Sequence, residues 1–175
     1  MTDKQAHKQW HVVYTRSRAE KKVLRELHDC KIECFLPMQK QLRQWKDRKK
    51  WVEMPLIPGY CFVNISRKEY DQVLQLSNVV QYVRFERKAA IISEQEIEAL
   101  QTMLHQFDFE VAITMENFEP GKRVEVIEGP MVGLKGELVE MRGKNKFALR
   151  LEQIETSFLV EIPAHYLSAV PELKK

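Results

Sequence analysis

Three segments of the chain carry apolar residues at spacings of three and four, the pattern of a helix with one buried face. Each segment follows a serine that has a glutamate three residues later, and this pair is the capping-box signature of a helix start. The pairs are Ser17 with Glu20, Ser66 with Glu69, and Ser93 with Glu96. The apolar stripes behind them are Val23, Leu24 and Leu27; Tyr70, Val73 and Leu74; and Ile97, Leu100, Leu104 and Phe107. The pattern therefore predicts three helices, all in the first 107 residues.

Runs of aromatic and β-branched residues lie between these helical segments and predict strands. The runs are 10–15, 32–36, 60–65 and 79–85. A basic segment around residues 46–50 is typical of the tip of a long hairpin, whose return arm runs through Trp51 and Val52. Strands that alternate with helices predict an α+β sandwich, in which an antiparallel sheet has helices mostly on one face.

The composition changes after residue 107, where glycines and short alternating runs replace the capping boxes. Five of the six glycines lie in this last part: Gly121, Gly129, Gly133, Gly136 and Gly143. The strand-like runs here are 123–127, 134–141, 147–151 and 158–162. Short strands joined by glycine-rich turns predict a small β-barrel. We therefore expect an N-terminal domain at 9–107, a linker at 108–117 and a C-terminal domain at 118–172.

Composition places the chain among globular proteins with a core, because 44% of its 175 residues are hydrophobic and 30% are charged. The apolar runs are only a few residues long, whereas a membrane span needs about 20, so no membrane association is expected. The polar N-terminus lacks the apolar stretch of a secretory signal. Three cysteines, an odd number, then indicate reduced thiols. These observations predict a cytoplasmic monomer.

Charge is unevenly distributed although the net charge is only +3. Residues 40–50 contain six basic side chains and one acid. The candidate nucleic-acid-binding residues are Lys46, Arg48, Lys49 and Lys50, flanked by Trp45 and Trp51. Cations beside aromatic rings can pair with phosphates and stack on bases. The alternative is a solvated hairpin tip whose charges prevent edge aggregation. Arg16 and Arg18, just past the first strand, are further nucleic-acid-binding candidates.

Enzymatic functions find no support in the motifs. The five histidines are scattered, and neither an HExxH motif nor a glycine-rich nucleotide loop is present. His28, Cys30 and Cys34 are close in sequence, but their spacing fits no zinc pattern. We therefore expect no catalytic residue, no metal and no cofactor.

Two motifs resemble a known family. The PGYCFV sequence at 58–63, preceded by WHVVY at 10–14 and ECFLP at 33–37, resembles the NGN domain of NusG-like transcription elongation factors. The second motif resembles a KOW motif, which lies in the first hairpin of an SH3-like barrel. Its residues here are Gly121, Gly129, Pro130, Gly133 and Gly136. An NGN domain followed by a KOW domain is the arrangement of that family, and the two resemblances cover residues 9–170.

Within the family, the segments 42–50 and 82–85 are most similar to the UpxY-type specialised paralogues. Those proteins are antiterminators of particular long operons, such as polysaccharide gene clusters. Two alternatives stay open at this point. One is a general housekeeping NusG-type factor, and the other is an RNA- or ribosome-binding KOW protein that never touches RNA polymerase.

The resemblance also implies a set of binding residues. It gives the role of contacting the clamp helices of RNA polymerase to Tyr14, Tyr60, Phe62, Tyr82 and Phe85. Strand alternation puts Tyr60 and Phe62 on one face of their strand. If helices cover the opposite face, both aromatics are left exposed; the alternative is that they pack in the core.

The other implied partners are nucleic acid and a second protein machine. In the family, the basic side of the NGN domain lies near the upstream DNA and the non-template strand. The KOW domain holds a small-subunit ribosomal protein or the termination factor Rho, and some KOW domains bind RNA.

Overall fold

The computed structural model describes residues 7–105, 110–116, 119–141 and 143–171. The chain divides into two compact units, Met1–Glu94 and Gln95–Lys175. The expected domain bounds at 107, 108, 117, 118 and 172 fall on positions outside the described residues. Those bounds therefore stay predictions.

The first unit is an antiparallel sheet with two helices and two small hairpins. Its elements are β1 (Gln9–Thr15), α1 (Glu20–Asp29), β2 (Glu33–Phe35), β3 (Met38–Gln44), β4 (Lys49–Pro55), β5 (Tyr60–Ile65), α2 (Tyr70–Leu74), β6 (Val79–Tyr82), β7 (Arg84–Phe85), β8 (Lys88–Ala89) and β9 (Ile91–Ile92). The main sheet has the order β2-β5-β1-β6, and β9 also pairs with β1. β3 pairs with β4 and β7 pairs with β8 as separate two-stranded ribbons.

Helices α1 and α2 cover one face of the main sheet. Val23 and Leu27 of α1 and Val73 of α2 share a buried cluster with Val13 of β1 and Val63 of β5. The position of α1 and α2 on this face is confirmed. The expectation that Leu74 faces inward is wrong, because its side chain is 39% exposed at the end of the short helix α2.

The opposite face of the main sheet is buried as well. Trp10 and Val12 of β1 and Phe62 of β5 point away from the helices, yet all three side chains are buried. The Trp10 indole nitrogen donates a hydrogen bond to a Glu94 carboxylate oxygen, 2.8 Å away. The two central strands therefore have no solvent face along most of their length.

The capping box of α2 has its expected local contact. The backbone N–H and the hydroxyl of Ser66 both donate to Glu69 Oε2 at 2.7 Å, ahead of α2. α1 instead begins at Glu20, and its N-cap residue Ala19 has no side-chain cap. The expected pairing of Ser17 with Glu20 is wrong, because the Glu20 carboxylate bonds to a distant turn.

The second unit is rich in strands. Its elements are α3 (Glu94–His105), which begins on the last residue of the first unit, β10 (Ala112–Thr114), β11 (Lys122–Val126), β12 (Lys135–Met141), β13 (Lys144–Leu151), β14 (Thr156–Val160) and β15 (Leu167–Ala169), with 3-10 turns at Glu152–Ile154 and Ala164–Tyr166. The strands form one antiparallel sheet in the order β10-β14-β13-β12-β11-β15. Phe147 and Phe158 are fully buried within it. No helix in the described part of the chain is long and apolar enough to cross a membrane.

Candidate functional site

A pair of tyrosines lies at one end of the main sheet. Tyr14 of β1 and Tyr60 of β5 are directly opposite each other in the antiparallel register. Their ring centroids are 4.9 Å apart at an interplanar angle of 61°, and the Tyr60 hydroxyl donates to the Tyr14 hydroxyl at 3.2 Å. Both side chains are half-buried, so they offer solvent an ordered aromatic surface.

The turn before Tyr60 is held by a buried carboxylate. Gly59 has a φ of +82°, a conformation that glycine adopts without strain. Its N–H donates to Glu20 Oε1 at 2.8 Å, and its carbonyl accepts from the Thr15 N–H at 2.8 Å. These bonds tie the turn to both α1 and β1. Sequence reasoning missed this role of Glu20 because nothing local indicates that a helix-start carboxylate bonds 39 residues away.

Phe62 is not part of the exposed surface, so the expectation that it is exposed is wrong. Its side chain is 0% exposed and lies beside Val12 on one neighbouring strand and Phe35 on the other. The rings of Phe35 and Phe62 are 5.9 Å apart. Phe62 is therefore a core residue of the first unit.

Tyr82, to which the resemblance gives a contact with RNA polymerase, lies in the core on the helix side. It is 4% exposed, and its ring stacks on Tyr70 with centroids 4.0 Å apart. Its hydroxyl donates to the Tyr70 carbonyl at 2.9 Å. Burial raises the pKa of the Tyr82 phenol far above its ordinary range. The carbonyl on α2 satisfies the hydroxyl, which allows the ring to be buried.

Phe85 is 38% exposed on the β7–β8 ribbon, opposite Lys88. The two residues that turn this ribbon, Glu86 and Arg87, have φ values of +49° and +68°. Left-handed conformations at both central positions are those of a tight hairpin turn, which glycine and asparagine normally occupy. The ribbon is separate from the main sheet, and the pairing of β7 with β8 fixes the position of Phe85.

The basic hairpin has the expected form. Trp45 and Arg48 close its tip with a backbone hydrogen bond of 2.8 Å, and the Arg48 guanidinium lies 5.7 Å from the Trp45 ring centroid. Every predicted basic residue here is exposed: Lys46, Arg48, Lys49 and Lys50. Trp45 and Trp51 are 47% and 64% exposed.

Two features of the hairpin suit an anionic partner. Arg43 and Lys50 are directly opposite each other across the strands, a like-charge pair that weakens a hairpin by itself. On the other face, Leu42 lies opposite Trp51, and both are exposed. The hairpin therefore presents concentrated positive charge next to apolar and aromatic surface.

Arg16 and Arg18 lie in the turn between β1 and α1, and both are exposed. The Arg16 N–H donates to the Asn78 carbonyl at 2.9 Å, so its backbone is fixed next to the start of β6. Arg18 has a φ of +58°. The structure fixes the backbone of this turn and leaves both cationic side chains in solvent.

The glycines of the KOW-like motif have packing roles. A Cβ on Gly136 would lie 2.5 Å from the Phe147 ring and 2.6 Å from the Ala148 carbonyl oxygen, and one on Gly121 would collide with a backbone carbonyl. Gly129, with a φ of +83°, packs against the Tyr166 ring. Pro130 and Gly133 are exposed in the same loop. Exposed Ile127 and Val132 flank this loop.

Metal binding finds no support in the described part of the chain, where no three His, Cys, Asp or Glu side chains come together as a metal site would require. Cys34 and Cys61 are hydrogen-bonded to backbone carbonyls of Leu24 and Phe35. Burial raises the pKa of the Cys34 thiol to about 11, so this thiol is protonated at neutral pH.

Comparisons with known proteins identify one family. The profile of the family described as "Transcription termination factor nusG" matches residues 8–101, more than half of the chain. A Lactococcus lactis "Transcription termination/antitermination protein NusG" is 25% identical over 180 residues, which cover 92% of each chain. The protein of the same name from Rickettsia typhi is 28% identical over 147 residues, covering 77% of this chain and 75% of the relative.

A solved structure shares the fold of this chain. The structure described as "Domain interaction in Thermotoga maritima NusG" matches with a TM-score of 0.50 and 19% identity, covering 94% of this chain and 98% of that one. At this identity, the likeness concerns the fold alone. It confirms the predicted fold class, an α+β N-terminal part followed by a strand-rich C-terminal part.

Proposed function

This chain belongs to the NusG family of transcription factors, which are not enzymes, and we propose that it acts by binding the clamp helices of RNA polymerase through its first unit. The observation that supports this site most directly is the Tyr14–Tyr60 pair. Partly exposed tyrosines, already ordered before binding, are the kind of residue that dominates protein interfaces. They lose little conformational freedom on docking, because each ring restrains the other.

The proposed mechanism needs only binding energy. A factor that binds the elongating state of polymerase more tightly than the paused or open-clamp state shifts the population toward elongation. No catalytic residue takes part. Antitermination follows if the complex is held in the elongating state while a terminator is transcribed.

The test is binding of the full chain to purified core RNA polymerase. We expect Tyr60→Ala and Tyr14→Ala each to weaken binding by at least about tenfold, the effect of losing an aromatic anchor. Leu74→Ala removes an exposed apolar side chain from α2 and serves as the matched control. Equal affinity of the folded tyrosine variants and the control would rule out this site.

The basic hairpin supports a second contact in the same complex. We propose that Lys46, Arg48, Lys49 and Lys50 pair with phosphates of the upstream DNA or the non-template strand. The support comes from their common exposure, the adjacent Trp45 and Trp51 rings, and the like-charge pair between β3 and β4. Phosphates would relieve the repulsion within that pair.

We further propose that the protein acts on particular operons. This proposal rests on the resemblance of residues 42–50 and 82–85 to the UpxY-type paralogues. Deletion of the gene is then expected to abolish transcription of the promoter-distal genes of one long operon, while most other genes are unaffected. A uniform change across the genome would favour a general housekeeping factor. For the second unit, we propose a ribosomal protein or Rho as the partner of the loop at Gly129 and Pro130.

A further inference from the structure

A cleft of about 540 Å³ opens at the other end of the main sheet. Gln9 and Ile65, which pair across β1 and β5, both line this cleft. They are five residues along the strands from Tyr14 and Tyr60, so the cleft is about 17 Å from the tyrosine pair. It is therefore a different site from the proposed polymerase contact.

Two cations from different elements line this cleft. Arg67 comes from the turn before α2, and Lys88 comes from the β7–β8 ribbon. Neither makes an ion pair with a carboxylate among the residues that the structure describes. The carboxylate of Glu69 is paired with Lys8 at 3.0 Å and accepts hydrogen bonds from Ser66. Two exposed cations that line the same concave surface favour an anion.

The aromatic wall of the cleft is formed by Tyr70 and His11, which belong to an ordered stack with the buried Tyr82. The Arg67 guanidinium lies 5.0 Å from the centroid of the Tyr70 ring, and that ring stacks on Tyr82. The His11 ring stands edge-on to both tyrosines, with centroids 6.0 Å and 5.8 Å away. The stack holds Arg67 as a planar cation, a surface on which nucleobases pack.

The polar groups of the cleft include both donors and acceptors. His11 Nδ1 is 3.0 Å from the Ala90 carbonyl, so this nitrogen must carry the proton. Burial lowers the pKa of His11, which keeps the ring neutral and leaves Nε2 as an acceptor. The side-chain amide of Gln9 adds a donor and an acceptor. Together, these groups match a ligand with polar edges, whereas inorganic phosphate would use only the cations.

We propose that this cleft binds a nucleotide, with its phosphate on Arg67 and Lys88 and its base against the aromatic wall. The volume lies within the range of about 300–1,000 Å³ that small-molecule sites occupy. The nucleotide can be free or can be one unit of a nucleic-acid strand, because both present the same phosphate and base. The proposal does not depend on polymerase binding.

The test titrates the full chain with four probes by calorimetry: AMP, UMP, inorganic phosphate, and a single-stranded DNA of eight thymidines. We expect saturable binding of at least one nucleotide probe, tighter than that of inorganic phosphate. Arg67→Gln and Lys88→Gln are each expected to lower the affinity by about tenfold, since each removes a charge-assisted contact. Lys22→Gln, an exposed cation on α1, is the control of equal charge and should change nothing.

Arg67→Lys separates charge from stacking. This variant keeps the cation but loses the planar guanidinium, so the affinity for the nucleotide should fall by a larger factor than the affinity for inorganic phosphate. Tighter binding of the DNA than of AMP or UMP would identify a strand as the source of the nucleotide, and the reverse would identify a free nucleotide. The proposal fails if no nucleotide probe binds saturably, if inorganic phosphate binds as tightly as the nucleotides, or if the variants bind like the control.

Discussion

The Glu20 carboxylate accepts a hydrogen bond from the backbone N–H of Gly59, 2.8 Å away. The two residues are 39 positions apart, and Glu20 is buried. The bond joins the first turn of α1 to the turn that presents Tyr60. It therefore connects the stability of the first unit to the surface that we propose binds polymerase.

Glu20→Ala should lower the free energy of unfolding by about 1–3 kcal/mol, because it leaves the Gly59 N–H without its partner in a poorly solvated position. Glu20→Gln keeps an acceptor oxygen and should cost less. Urea unfolding of the full chain measures both. Glu98→Ala, an exposed glutamate of α3, is the control. Equal midpoints for Glu20→Ala and Glu98→Ala would show that the bond contributes nothing.

Phe62→Ala should destabilise the first unit by about 3–5 kcal/mol, the usual cost of deleting a fully buried phenylalanine. Tyr60→Phe removes only the hydroxyl that bonds to Tyr14, and should cost about 0.5–1.5 kcal/mol. Denaturant unfolding distinguishes the two. A Phe62→Ala protein as stable as Tyr60→Phe would contradict the buried position. It would also restore Phe62 as a candidate for direct binding.

Gly136→Ala should disrupt the second unit, because the new Cβ would meet the Phe147 ring and the Ala148 carbonyl oxygen at 2.5 Å and 2.6 Å. Gly143→Ala is the comparison, since its Cβ would meet no atom within 4 Å. Its φ of +73° still imposes a cost of about 1–2 kcal/mol. We expect the midpoint temperature of thermal unfolding, monitored by circular dichroism, to be well below that of Gly143→Ala for the Gly136→Ala variant. The opposite ranking would mean that the β12–β13 contact is looser than the structure shows.

Stability should fall as the pH drops below the ordinary histidine pKa of 6.5, because burial lowers the pKa of His11 and outweighs the opposing bond to Ala90. The unfolded chain then binds a proton that the folded chain does not, so folding is favoured above pH 6.5 and less favoured as the pH falls toward the folded pKa. His11→Gln keeps a donor for Ala90 but cannot titrate. Unfolding free energies between pH 7.5 and about pH 5 should change less in this variant than in the wild type. Identical pH profiles would show that His11 is not the group responsible.

Replacing Arg48 and Lys49 with Gln should weaken binding to single-stranded DNA and reduce its dependence on salt. Each lost phosphate contact lowers the slope of log affinity against log salt by about 0.7. Lys122 and Lys135, exposed cations of the second unit, provide a control double variant of equal charge. Fluorescence anisotropy over a salt series measures the slope. If both double variants lose affinity equally, only net charge matters, and the hairpin is not a specific site.

The helices and strands were largely predictable from local patterns, whereas the site was predictable only in part. The stripe of Val23 and Leu27 identified the buried face of α1, because helical periodicity and burial are the same signal. The exposure of the basic hairpin tip was also predictable, since charged side chains remain exposed in almost any fold. The cleft at Arg67 and Lys88 was not, because it joins residues from two separate elements.

The sequence by itself determined that Tyr60 and Phe62 share a face of β5, because side chains alternate along any strand. Only the tertiary structure decided that they have different environments. Phe62 is flanked by Val12 on β1 and by Phe35 on β2, whereas β2 ends at Phe35, before the position opposite Tyr60. Burial of a strand residue depends on which other segments pack around it, and tertiary contacts between distant segments decide that. Local periodicity carries no information about it, so the same pattern yields one core residue and one surface residue.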